Sequence, residues 1–413
     1  MPAVHEELRF VARQPILDGA GRLFAYEILY RSAADDLQCT MDDDRASANV
    51  LTGGLLAFGL KALANGHPLF INLTRHWLIA DVALLLPMPY VVLELTERIP
   101  ADEDTLAACR RLRAAGYALA LDDFEEGSAA EAFMPYASYV KVDMLATPQH
   151  QVAALAKRFK RRGIRLVAEK VETTEVAEAA RAVGYELFQG HYFARPTTFS
   201  TKVLPPQRKV YLNLLGAINA PDITIDALET LVKRDPALSH RVLRCLQSAS
   251  WGLRRDVSSI REALILLGIE PVRRWASVWA VAGLSSGKPS EVVNMVLIRA
   301  RMCEQVSAAR WGHAEGGAHY LLGLCSLLDV LLEQSIAVAI EDLPLLPAIR
   351  EALQGAPGPA RSLLDCVIAY EQGDWLRALD AAAAAGIDLV SVADAYGDAL
   401  SWAQSLSTAH TPA

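Results

Sequence analysis

The sequence predicts an α/β barrel of the modified TIM type, with its first strand antiparallel, followed by an all-α domain. Two observations carry this prediction. Strand and helix patterns alternate over residues 8–200, and helical periodicity with almost no strand pattern continues from there to the C-terminus. Repeated strand–helix units are typical of parallel sheets, and eight strands with short connections favour a closed barrel. We therefore expect two domains, at 1–200 and 201–413.

Eight short apolar segments are the candidate strands. They lie at 8–16, 23–30, 68–73, 90–96, 117–123, 139–144, 165–171 and 186–193. The turn composition of Asp18-Gly19-Ala20-Gly21 predicts that the first two strands form an antiparallel hairpin. From Pro68 onward helical stretches follow the strands. These include 102–115, 150–162 and 173–183, each followed by a capping glycine (Gly116, Gly163, Gly184).

The pattern changes near residue 200. The segment ARPTTFSTKVLPPQRK is rich in Pro, Thr and Ser, and it predicts a domain boundary. Helical spacing of apolar residues begins at Tyr211, and Pro236 and Pro271 suit the first turns of helices. Further helices are predicted at 224–233, 236–247, 258–267, 271–284 and the alanine-rich 376–386.

Composition excludes several classes of protein. The net charge of -8 and the pI of about 5.7 argue against nonspecific binding to nucleic-acid polymers or anionic membranes. The most apolar stretch, 327–340, carries Asp329 and Glu333, and the N-terminus lacks the basic start of a signal peptide. The six cysteines have neither C-x-x-C nor zinc spacing, which predicts reduced thiols. We expect a cytoplasmic protein without a membrane partner.

Polar side chains recur where the predicted barrel strands end. They are Glu27, Asn72, Glu94, Asp122, Asp123 and Glu169, together with Lys141. Any one of them would suit a salt bridge at a strand end. Because an unpaired charge in a buried strand is costly, their repetition in register favours a shared, oxygen-rich cavity.

The oxygen ligands in this set predict a hard divalent cation, Mg²⁺ or Mn²⁺. The predicted ligands are Glu27, Asn72, Glu94 and Asp122, with Asp123 as a further ligand or a bridge to a second ion. Such a site can activate water for in-line attack on a phosphodiester. Lys141 would assist that water or stabilise phosphate charge, and Asp143 and Glu169 would orient it.

At these residues the chain resembles the EAL family, the cyclic di-GMP phosphodiesterase domains of bacteria. The matching motifs are Glu27-Ile28-Leu29, Asn72 in INLT, Glu94-Leu95-Thr96-Glu97, Asp122-Asp123-Phe124, Lys141-Val142-Asp143, AEKVE at 168–172, and Gln189-Gly190 with Pro196. The resemblance covers residues 8–200. It implies hydrolysis of cyclic di-GMP to linear pGpG, with metal bound by the ligands named above. It also implies that Arg31 and Gln189 lie near the dinucleotide and that Glu97 anchors the loop after D-D-F.

The loop after D-D-F departs from the family pattern. The family reads D-D-F-G-x-G-Y-S-S, whereas this chain reads DDFEEGSAA, with Glu125 and Glu126 added and Ser128 in place of the tyrosine. Lys170 replaces the glycine of A-E-G-V-E. The added carboxylates oppose an anionic substrate, and the lost glycine restricts the loop. Two functions therefore stay open: a metal-dependent phosphodiesterase, or a catalytically inactive module that senses cyclic di-GMP or serves as a protein-interaction scaffold.

The second half resembles the HDOD family, a noncatalytic relative of the HD phosphohydrolases. The resemblance lies in Asp235-Pro236-Ala237-Leu238, Ser248-Ala249 and 263–268, and no histidine of the chain is followed by aspartate. Tandem EAL and HDOD modules are similar to the YuxH-like signalling proteins. This arrangement implies a protein partner for the HDOD domain and leaves a homo-oligomer open.

Overall fold

The computed structural model describes most of both halves of the chain. The described residues are 10–31, 63–88, 90–190, 192–194, 206–220, 223–234, 259–285, 288–341 and 343–408. The predicted helix 236–247 and the motifs at 235–238 and 248–249 lie outside them, as do the residues around the predicted boundary at 200. Among the helices described, none combines the length and apolarity needed to cross a bilayer.

Eight strands form a closed barrel, as predicted. They are β1 (Phe10–Asp18), β2 (Leu23–Arg31), β3 (Leu69–Leu73), β4 (Val91–Leu95), β5 (Ala118–Leu121), β6 (Tyr139–Asp143), β7 (Arg165–Glu169) and β8 (Leu187–Gln189). Strand β1 runs antiparallel to both of its neighbours, β2 and β8, and all other neighbouring strands are parallel. The last strand is shorter than the predicted 186–193, because the chain turns into a 3₁₀ helix at Tyr192–Ala194.

The predicted hairpin turn is confirmed, and Asp18 builds it. Its Oδ1 accepts hydrogen bonds from the backbone N–H groups of Ala20 (2.8 Å) and Arg22 (2.9 Å). Gly21 takes a φ of +74°, which costs a glycine little. The turn therefore reverses the chain within a few residues, and this reversal makes β1 antiparallel.

Helices cover the barrel and form the second half. On the barrel side they are α1 (Arg75–Ile79), α2 (Glu103–Ala114), α3 (Gln149–Lys160) and α4 (Thr174–Val183), with 3₁₀ helices at Val82–Leu85 and Ala129–Tyr136. The second half has α5 (Pro206–Ile218), α6 (Ile225–Arg234), α7 (Ile260–Leu267), α8 (Ile269–Leu284), α9 (Ser290–Trp311), α10 (His313–Cys325), α11 (Leu328–Leu332), α12 (Ile336–Ala339), α13 (Pro347–Leu353), α14 (Pro359–Glu371), α15 (Trp375–Ala385) and α16 (Leu389–Thr408). The cysteines on these helices are buried free thiols.

The inside of the barrel is built in two layers. The first is an apolar floor of Ile16, Ala25, Phe70, Val92, Ala120, Val167 and Leu187, with Tyr139 packed against it. Side chains two residues apart on a strand share a face, so each floor residue has a partner above it. These partners are Gln14, Glu27, Asn72, Glu94, Asp122, Lys141, Glu169 and Gln189. Strand periodicity alone therefore sets eight polar side chains at one end of the barrel.

The helical half packs against the outward-facing residues of the β1–β2 hairpin. The Tyr26 hydroxyl donates to the carboxylate of Glu291 at the start of α9, at 3.0 and 3.1 Å. The Tyr370 hydroxyl of α14 donates to the carbonyl of Val11 (3.3 Å), and the Arg13 amide donates to the Tyr396 hydroxyl of α16 (3.2 Å). The helical half therefore contacts the two strands that carry Gln14 and Glu27.

Gly190, which directly follows Gln189, has no room for a side chain. Its φ is +145°, and a Cβ there would overlap the backbone of Val171. We predict that Gly190→Ala lowers the free energy of unfolding by at least about twice as much as Gly163→Ala does. Gly163 also has a positive φ (+68°) but faces open space, so its replacement costs about 1–2 kcal/mol of backbone strain only. Urea unfolding followed by circular dichroism measures both, and equal losses would contradict the predicted overlap.

Candidate functional site

A buried lysine lies at the centre of the polar layer. The Nζ of Lys141 is 3.0 Å from Glu27 Oε2, 2.8 Å from Glu94 Oε1, 2.8 Å from Asp122 Oδ1 and 2.9 Å from Glu169 Oε1. Lys141 and Glu94 are fully buried, and the other three acids are largely so. We call these five residues the Lys141 cluster. The structure thus brings together side chains from five strands or strand ends that the sequence separates by more than a hundred residues.

Amide side chains complete one side of the cluster around Glu27. Asn72 Nδ2 donates to Glu27 Oε1 (3.1 Å), and Gln189 Nε2 donates to Glu27 Oε2. The same Gln189 nitrogen lies 2.8 Å from Gln14 Oε1 on β1. Sequence reasoning missed Gln14, although the hairpin register, which pairs Gln14 with Glu27, could have revealed it.

The acids of the cluster do not share one charge state. Burial opposes ionisation of Glu27, but Lys141, Gln189 and Asn72 together hold its pKa below the ordinary value. Burial, with repulsion from Glu27, raises the pKa of Glu94 well above its usual range. Burial likewise raises the pKa of Asp122, and it raises that of Glu169 to about 8. The surrounding carboxylates overcome the burial of Lys141 and raise its pKa, so its ammonium stays charged.

Several buried oxygen atoms of this site accept no hydrogen bond. They are both carboxylate oxygens of Glu94, Glu169 Oε2 and Gln189 Oε1. Glu94 Oε1 is 2.8 Å from Lys141 Nζ, but that contact is an ion pair without hydrogen-bond geometry. Across the part of the chain that the structure describes, three or more acids, histidines or cysteines nowhere converge as a ready-made metal cage. The carboxylates instead converge on the Lys141 ammonium, and some of their oxygen lone pairs accept no hydrogen bond.

A second charged group lies beside the cluster, around Lys170. Its Nζ is 2.6 Å from Asp143 Oδ2 and 3.5 Å from Asp123 Oδ1. Asp143 Oδ1 accepts from the backbone amides of Leu145 (2.7 Å) and Ala146 (3.0 Å). Despite partial burial, these bonds and Lys170 hold the pKa of Asp143 below its ordinary value. Asp143 therefore faces Lys170 in the structure, not Lys141, and its predicted role in orienting the water stays a prediction.

Both Asp123 and Lys170 have left-handed backbone angles, with φ of +41° and +53°. Lys170 stands where the resembling family has glycine, a residue that adopts such angles without strain. A lysine side chain is retained there at a conformational cost. Its ammonium contacts two carboxylates, and the sequence motifs did not predict these contacts.

The loop after Phe124 borders an open cleft of about 620 Å³. Glu125 and Glu126 are exposed and line this cleft, and Glu126 pairs with Arg158 at 3.1 Å. Arg158 also lies 3.0 Å from Glu131, whose carboxylate accepts from the Gly127 amide. Gly127 takes a φ of +82°, but Glu125 has no positive φ, so glycine's freedom is not required at the first substituted position.

Two further predicted residues lie at the edge of the described site. Glu97 lines the cleft, and its carboxylate is 3.4 Å from Arg98. Arg31 ends strand β2, but its side chain lies outside the described part of the structure. Their predicted roles, anchoring the loop and contacting the dinucleotide, stay predictions.

Comparison with protein families divides the chain in two. The EAL domain model matches residues 3–196, and the HDOD domain model matches residues 204–324. The barrel and the polar layer fall within the first match. Helices α5 to α9 and most of α10 fall within the second.

Known proteins resemble the chain over nearly its whole length. The cyclic di-GMP phosphodiesterase CdgJ of Vibrio cholerae is 32% identical over 96% of this chain and 93% of its own length. The YuxH protein of Bacillus subtilis is 30% identical over 97% of this chain and 99% of its own length.

Among solved structures, the chain is similar to BlrP1 of Klebsiella pneumoniae in a calcium and cyclic di-GMP complex. The identity is 28% over 48% of this chain and 58% of that one, with a TM-score of 0.39. The two domain matches and the full-length relatives establish the family. The chain joins an EAL domain to an HDOD domain and belongs to the same family as CdgJ and YuxH.

Proposed function

We propose that this chain acts in cyclic di-GMP signalling and that its barrel hydrolyses cyclic di-GMP to linear pGpG with Mg²⁺ or Mn²⁺. The observation that carries the proposal is the Lys141 cluster, in which four carboxylates of the barrel's polar layer surround one ammonium. The name of the relative CdgJ supports the same substrate. We propose a cytoplasmic setting and a protein partner for the helical half.

The oxygen-rich donor set fits a hard divalent cation. The proposed ligands are Glu27, Asn72, Glu94 and Asp122, with Asp123 beside them. Glu94 Oε2 supports this fit, since it is buried with neither a hydrogen bond nor an ion pair, and such acceptors are costly. Bound there, the cation would lower the pKa of a water molecule and neutralise phosphate charge. The carboxylates must first turn from Lys141 Nζ toward a common point.

That rearrangement would release Lys141 for chemistry. Its ammonium could then face the attacking water or a phosphate oxygen. Glu169 has a pKa of about 8 and a buried Oε2 without a hydrogen-bond partner, so it holds a proton at neutral pH and can exchange it during the reaction. The buried amide of Gln189 would orient Glu27 and contact the dinucleotide together with Arg31.

The second candidate function is binding without turnover, or a scaffold role without ligand. The charge of the cleft favours it, because the acids among the described residues that line the cleft outnumber the one lysine there. These acids are Glu97, Asp123, Glu125, Glu126 and Asp143, against Lys170. An anionic dinucleotide would meet repulsion there unless bound cations or Lys170 offset it.

The decisive experiment measures pGpG formation by chromatography with Mg²⁺ or Mn²⁺ present. We expect turnover by the wild type, with Glu27→Gln and Lys141→Met slower by about 10²- to 10⁴-fold, the usual range for a lost acid–base or charge-stabilising group. Glu186→Gln, at a surface carboxylate paired with Arg165, is the control and should retain wild-type activity. If concentrated wild type forms no more product than Glu27→Gln, the enzymatic proposal fails. A calorimetric titration with cyclic di-GMP then separates sensor from scaffold.

Lys170 should compete with a divalent cation for Asp123. We predict that Lys170→Gly and Lys170→Asn both bind Mn²⁺ about two- to fivefold more tightly, the effect of losing a half-exposed ion pair worth up to about 1 kcal/mol. Asparagine tolerates the left-handed angle without the charge, so it separates electrostatics from backbone strain. Electron paramagnetic resonance of free Mn²⁺ measures the affinity. Unchanged affinity in both variants would contradict the competition.

The raised pKa of Glu169 makes the metal-free protein sensitive to pH. Between its ordinary value of 4.5 and about 8, Glu169 keeps its proton when folded and loses it when unfolded. The folded state therefore binds more protons, and stability falls as pH rises across this window, by at most about 1.4 kcal/mol per unit for one proton. Glu94 and Asp122 shift in the same direction.

Urea unfolding in a chelator at several pH values tests this prediction. Glu169→Gln resembles the protonated acid and should show a shallower loss of stability from pH 5 to pH 8. Equal slopes in variant and wild type would show that Glu169 ionises normally in the folded chain.

A further inference from the structure

The helical half contains a cavity of about 440 Å³ that takes no part in the barrel site. Its walls come from helices α5, α8, α9 and α10 and from the segment at 344–349. That segment lies beyond the residues matched by the HDOD domain model, which end at 324, so the part of the chain after residue 324, here called the C-terminal extension, completes the cavity wall. The volume is in the range of small-molecule sites. We call it the α9–α10 cavity.

Two buried polar atoms of the cavity wall have no hydrogen-bond partner. One is the Tyr320 hydroxyl, and the other is Asn219 Oδ1; both residues are less than a tenth exposed. The Asn219 amide is fixed, because its Nδ2 donates to the Leu215 carbonyl (2.8 Å) and to Ser277 Oγ (2.9 Å). Its oxygen therefore still needs an N–H or O–H donor. Leaving such atoms unsatisfied costs free energy, which a bound ligand that supplies the missing hydrogen bonds would recover.

The wall also carries excess positive charge. Among the described residues that line the cavity are two arginines, Arg273 and Arg274, and one acid, Glu304; Arg273 also donates from Nε to the Ile218 carbonyl (3.2 Å). Glu304 is already neutralised, since one carboxylate oxygen pairs with Arg274 and the other lies 2.6 Å from Arg301 Nη1. In a chain with a net charge of -8, this local excess favours an anion.

The remaining wall is apolar and open. Leu321, Leu345 and Ile349 line it, and a Cβ placed on Gly317 would meet no atom within 4 Å. We propose that the α9–α10 cavity binds a small amphipathic organic anion with an apolar body and an N–H or O–H donor. The anion faces Arg273 and Arg274, the donor faces Asn219, and the body packs on the leucines. Bound there, it would join the HDOD helices to the C-terminal extension.

A fluorescent pair of probes tests this chemistry. 8-Anilinonaphthalene-1-sulfonate has the apolar body, the anion and one N–H, whereas N-phenyl-1-naphthylamine lacks only the sulfonate. We expect saturable binding of one sulfonate probe per chain, and binding of the neutral probe at least tenfold weaker. Absence of a saturable 1:1 phase, or equal binding of the two probes, would overturn the proposal.

Variants locate the binding in the cavity. Gly317→Leu fills the open space and should weaken the sulfonate probe at least tenfold, whereas Ala384→Leu adds the same volume on the exposed face of α15 and should leave it unchanged. Arg273→Gln should reduce the difference between the two probes and keeps the test valid if Gly317→Leu folds poorly. Binding unaffected by both cavity variants would place the probe elsewhere and sink the proposal.

Discussion

The burial of the Lys141 ammonium among four carboxylates constrains the rest of this barrel. A single cation cannot neutralise four acids, so the cluster is stable only with protons retained on some carboxyl groups or with further positive charge. The raised pKa values of Glu94, Asp122 and Glu169 express the first solution. A divalent cation would supply the second. The same shortage of positive charge therefore accounts for the raised pKa values of these acids and for the proposed affinity for metal.

Strand alternation connects this cluster to the helical half. On the β1–β2 hairpin, Gln14 and Glu27 face the barrel interior, while their neighbours Arg13 and Tyr26 face the helices. Tyr26 donates to Glu291, and the Arg13 guanidinium stacks over the Tyr26 ring at 4.0 Å. Helices α9 and α16 thus hold the outer face of strands whose inner face positions Glu27 and Gln189. A shift of the helical half would move the backbone that orients Glu27.

Most of the fold and the central acids could be predicted from the sequence, because both depend on local periodicity. A strand pattern fixes which side chains share a face, and successive strand ends in a barrel meet at one rim. The pairing of Lys170 with Asp143 could not be predicted, since it joins two strand ends through flexible side chains at a strained backbone angle. Gln14 could not be predicted from the strand ends. It lies within β1, which is antiparallel, and it joins the site only through the pairing of β1 with β2.

The departures from the EAL pattern change the charge around the cluster more than its shape. Arg158 offsets Glu126, so the two added acids do not act as two uncompensated charges. At Lys170 the chain gives up glycine's easy left-handed angle and gains an ammonium that contacts Asp123 and Asp143. The Lys170 ammonium can neutralise Asp123, as a metal ion would. Lys170 also lines the cleft where phosphate would enter. Lys170 therefore weakens the case for a second cation while it strengthens the case for an anionic ligand.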